Sequence, residues 1–79
     1  MSYVENATNA ILAIQDEIQE IGNEISLTLF PALKKAIAAE DHRTIDEINA
    51  RAQVLRAMSL EKQAKAQSLE AILKAMGHI

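Results

Sequence analysis

The chain has 79 residues, no cysteine and a formal net charge of −3. Disulfides and thiolate zinc sites are therefore excluded, and a single domain over residues 1–79 is expected. A chain this short has little room for a core, and without disulfides a metal or a partner subunit commonly supplies the missing burial.

Hydrophobic residues make up 49%, yet the aromatics are only Tyr3 and Phe30, and there are two Gly and one Pro. Such an Ile-, Leu- and Ala-rich composition suits long helices and not a many-turned β fold. The expected fold class is all-α: an antiparallel helical hairpin that assembles into a four-helix or larger bundle.

The first helix is expected over about 4–39. Val4, Ala7, Ile11, Ile14, Ile18, Ile21 and Ile25 alternate in steps of three and four, a heptad seam held over three repeats. Asn9, Gln15, Asp16, Gln19, Glu20 and Asn23 lie between them, so the apolar stripe is narrow. Gly22 costs about 1 kcal/mol relative to Ala within a helix. Pro31 lacks an N–H, and its ring clashes with the Leu27 carbonyl in a regular helix. The apolar spacing continues through Leu29, Leu33 and Ile37, so a kink at Pro31 is expected, with a break over Thr28–Phe30 as the alternative.

A polar loop is expected over 40–44. Thr44 and Glu47 then form a capping box, and the second helix runs from about 45 to 76, with Gly77 as its stop. Its seam reads Ile45, Ile48, Ala52, Leu55, Ser59, Lys62, Ala66, Leu69, Leu73 and Met76. A short loop makes the helices antiparallel neighbours. Ile11 then faces Leu73, Ile14 faces Leu69, Ile18 faces Ala66, Ile37 faces Ile48, and Glu17 comes near Lys65. The seam residues on which assembly should depend are Ile11, Ile14, Ile18, Ile21, Ile25, Leu55, Leu69 and Leu73. Ala50, Ala57, Ala64 and Ala71 recur every seven residues on the opposite face, where alanine serves first as a helix former.

Charge is unevenly placed. Glu5, Asp16, Glu17, Glu20 and Glu24 occupy residues 1–30 without a single Lys or Arg, and all eight basic residues follow. Within an antiparallel hairpin the two halves neutralise each other, which is preferred here to a polar partner surface. The acids interrupting Ile11–Phe30 exclude a membrane span, and Glu5 stands where a secretory leader would carry positive charge. A cytoplasmic protein without a membrane partner is expected.

Catalysis finds no foundation. His42 and His78 are isolated and read as solvated, and no Glu-x-x-His pair lies on a helix, so no metal or cofactor is expected. Glu17, Glu20 and Glu24 share one helix side, which reads as a solvated flank and not as an acid–base pair. Nucleic-acid binding is disfavoured by the net charge and the lack of an aromatic platform. Lys62 on the seam covers apolar surface with its stem. The expected function is that of a small homo-oligomeric interaction protein: an adaptor, assembly factor or inhibitor of a larger partner. Its contact surface would be the acidic first helix or the alanine face of the second. The alternative is a binder of an anionic metabolite or nucleotide at a subunit interface through Arg51, Arg56, Lys62 or Lys65.

Overall fold

A computed structural model describes residues 2–77, so the expectation placed on His78 lies outside the described residues. All secondary structure among the described residues is helical. The chain forms α1 (Tyr3–Asn23), a π-helical segment (Glu24–Leu29), α2 (Phe30–Ala38) and α3 (His42–Ala75).

Helix α1 starts at Ser2, whose hydroxyl accepts the Glu5 N–H at 3.1 Å and satisfies one otherwise orphaned donor. Its buried residues are Ala7, Ile11, Ile14 and Ile21, with Ile18 half-buried between them. This is the heptad stripe, turned towards α3.

The helix neither breaks nor ends at Pro31. Helical dihedrals persist through Leu29 and Phe30, and the Phe30 N–H donates to the Ile25 carbonyl five residues back. Such a widened turn holds one residue more than an α-turn, which rotates everything downstream by about 100°. The consequence is visible in burial. Extending the α-helical heptad from Ile25 would bring Thr28, Ala32 and Lys35 to the seam. With the extra residue, Leu29 and Leu33 become half-buried and Ala36 buried. Ile37, expected against Ile48, is instead 56% exposed. The wider turn just upstream also accommodates the Pro31 ring, which would strike the Leu27 carbonyl in a straight α-helix. The Ser26 hydroxyl donates to the Gly22 carbonyl at 2.8 Å as the segment begins.

The reversal is shorter than expected. The Asp41 N–H donates to the Ala36 carbonyl at 2.9 Å and the Glu40 N–H to the Ile37 carbonyl at 3.1 Å. Glu40 between them has φ +54°. This is the Schellman pattern, with glutamate at the left-handed position that glycine usually fills. Asp41 then starts α3. Its Oδ1 accepts the Thr44 N–H at 3.2 Å and its Oδ2 accepts the Thr44 hydroxyl at 2.6 Å. Asp41, not Thr44, is therefore the N-cap, and α3 begins at His42, ahead of the expected position 45. Glu47 does not close a capping box; it accepts from Arg43 Nε at 3.3 Å.

Helix α3 buries Leu55, Ala66 and Leu73, while Ile45, Ile48, Ala52, Ser59, Lys62 and Leu69 are half-buried. Met76, read as part of the seam, caps the helix end and is 49% exposed. Gly77 follows with φ +80°, and its N–H donates to the Lys74 carbonyl. Ala7 and Ile11 cluster with Leu73, Glu17 pairs with Lys62, and Glu24 pairs with Arg51. Residue numbers rise along one helix as they fall along the other, so the two run in opposite directions. The result is a rod measuring 55 × 17 × 16 Å.

Candidate interaction surface

Two helices side by side leave two flanks along their seam, and here the flanks differ in chemistry. On one, Arg51 Nε donates to Glu24 Oε2 at 2.8 Å and Arg51 Nη2 to Glu24 Oε1 at 3.0 Å, a two-point ion pair between α3 and the π-helical segment. Farther along the same flank Lys62 pairs with Glu17. Glu17 and Glu24 are seven residues apart and so share one helix side. The Arg51 hydrogen bonds hold the Glu24 carboxyl below its ordinary pKa, and the same contact raises Arg51. Asp41 is held low by its bonds from Thr44.

The expected proximity of Glu17 to Lys65 is corrected to Lys62, which is half-buried and lines a groove with Ile21 and Leu55. Lys65 is exposed and lines a neighbouring hollow with Met58, Glu61 and Lys62. The acidic side of α1 and the π-helical segment is thus not merely solvated, since Glu17 and Glu24 each hold a cation of α3.

The other flank carries two open grooves. One, at the end where α1 begins, is lined by Val4, Thr8, Ile11 and Leu12 of α1 and by Gln67 and Ala71 among others of α3. The second lies at mid-length, between Ile18, Gly22 and Ile25 on one side and Ala52, Ser59 and Leu60 on the other. Val4, Ile11, Ile18 and Ile25 recur every seven residues, and Leu60 and Gln67 do the same, so both grooves open on one continuous side. Arg56, Glu70 and Lys74 are the charged residues lining these grooves. Leu12 and Leu60 are more than half exposed along them, at 54% and 57%.

The seam residues divide by depth. Ile11, Ile14, Ile21, Leu55 and Leu73 are buried, whereas Ile18, Ile25 and Leu69 are half-buried. The four basic residues considered for an anionic ligand do not all share one groove. Arg51 and Lys62 line one together, each engaged by a carboxylate, Lys62 and Lys65 line a neighbouring hollow with Glu61, and Arg56 lines the groove of the opposite flank. Ala50, Ala57, Ala64 and Ala71 are all exposed. The two-flank asymmetry was not anticipated from the sequence, although the heptad rows of Val4 and of Glu17 contain it.

Among the described residues, no group of three or more His, Asp or Glu side chains is placed to hold a metal ion, and no helix is long and apolar enough to cross a membrane. Comparison with protein-family models, curated proteins and solved structures returns no match to this chain.

Proposed function

We propose that this chain is a non-enzymatic helical interaction protein that works as a homo-oligomer, the antiparallel hairpin of α1–α2 and α3 forming half of a four-helix bundle. The observation that carries the reading is surface area. The chain exposes 5888 Å², whereas a compact monomer of its mass exposes about 4,700 Å². The excess of about 1,200 Å² exceeds the roughly 800 Å² that each partner buries in a standard interface.

Core burial points the same way. Leu55 and Leu73 are 2% exposed, but Leu12, Leu60, Ile37 and Phe30 each leave more than half their surface in water. Full burial of such a side chain stabilises by about 1.5–3 kcal/mol, against 1–2 kcal/mol for ordering each backbone residue. A second copy supplies the missing burial without adding any new sequence. Thermal unfolding over a hundredfold range of protein concentration tests this. An associating chain has a midpoint that rises with concentration, and a self-sufficient monomer has one that does not move.

A further inference from the structure

We infer that the second copy seats on the weakly charged flank, centred on Gly22, about a two-fold axis perpendicular to the helices; this rests on the self-association proposed above and adds which face mates and how.

Charge selects the flank. Docking on the other side would bring the Glu17–Lys62 and Glu24–Arg51 pairs under a partner, and desolvating ion pairs costs free energy that their mutual attraction only partly returns. The flank of Ile11, Ile18 and Ile25 carries three charged residues, Arg56 in the mid-length groove and Glu70 and Lys74 near one end, against the five (Glu17, Glu20, Glu24, Arg51 and Lys62) that line the ion-paired groove. Its footprint is adequate too: a side of the 55 Å rod that is 17 Å wide offers on the order of 900 Å², a standard half-interface.

Geometry selects the centre. The continuous helical run from Tyr3 to Ala38 has its middle at Glu20 and Ile21, within two residues of Gly22, and α3 has its middle at Met58 and Ser59. Gly22 and Ser59 both line the mid-length groove. When the two-fold axis is perpendicular to the rods, a closed dimer overlaps them fully only if that axis crosses their midpoints. At that crossing the chain is thin. A Cβ added to Gly22 would meet nothing within 4 Å, so the single chain has no internal need for glycine there. A helix-weakening residue at an open mid-helix position fits close approach by another backbone. On the facing wall Ala52 and Ser59 are the small residues, set among Arg56, Leu60 and Gln63.

The test is sedimentation of the full chain and three variants, with circular dichroism on each. Gly22→Gln replaces a poor helix former with a good one in open space, so the single chain should fold at least as well. Leu60→Gln changes an exposed side chain of the same groove, and Met58→Gln changes one on the ion-paired flank. Gly22→Gln and Leu60→Gln should each weaken self-association about tenfold or more with helical signal retained, while Met58→Gln leaves it unchanged. A wild-type dimer that Met58→Gln weakens and the other two do not would overturn the assigned face yet leave self-association standing. A wild type that sediments as a single chain would remove both.

Discussion

Arg51 holds both carboxylate oxygens of Glu24 across the seam, 27 residues away along the chain, through contacts of 2.8 and 3.0 Å. Because this contact lowers the Glu24 pKa, folding is favoured by the ionised carboxylate. The contribution is fully present above the unfolded-state value of about 4.3 and is lost as pH falls through the lower folded-state value. Glu24→Gln should therefore lower the thermal midpoint at pH 7. Its midpoint and that of the wild type should converge in acid, in a pH series of unfolding curves.

Leu55 and Leu73, each 2% exposed, are the most enclosed side chains of the described core. Leu55→Ala and Leu73→Ala should each cost about 2–5 kcal/mol in denaturant unfolding. Leu27, 74% exposed on the π-helical segment, should tolerate Leu27→Ala within about 0.5 kcal/mol.

Deleting Leu27 should be far worse than truncating it. Without the extra residue the segment returns to α-helical spacing, which swings Leu29, Leu33 and Ala36 off the seam and restores the clash at Pro31. The deletion should lower the thermal midpoint well below that of Leu27→Ala. Equal midpoints would mean that the π-helical turn does not set the phase of α2.

Glu40 occupies a left-handed conformation, φ +54°, that costs an ordinary residue about 1 kcal/mol. Glu40→Gly should stabilise the chain by up to that amount in denaturant unfolding. Asp41→Ala should do the reverse and speed amide exchange at Thr44, whereas Asp41→Asn keeps an acceptor there and should retain most of the cap.

These particular residues mark the boundary of what the sequence reveals. The all-helical class and the Ile11–Ile25 stripe were legible because aliphatic spacing reports helix faces directly. The first helical run ends at Ala38, one residue from the expected position 39, although the left-handed position that usually carries glycine holds Glu40. Two plausible caps, Asp41 and Thr44, lay three residues apart, and only the backbone geometry decides which one accepts. The π-helical turn leaves no local signature either. Its trace is the phase of Leu29 and Leu33, which a straight-helix reading extended to Ile37. The partition of charge between flanks was present in the heptad rows but became readable only once Glu17 and Glu24 had found Lys62 and Arg51.

Self-association is the claim on which the functional reading depends, and sedimentation equilibrium of the unmodified chain at low micromolar concentration tests it most directly. Self-association predicts a particle of twice the 8.7 kDa chain mass, or a higher even multiple. A folded, fully helical species of 8.7 kDa throughout the concentration range would contradict it.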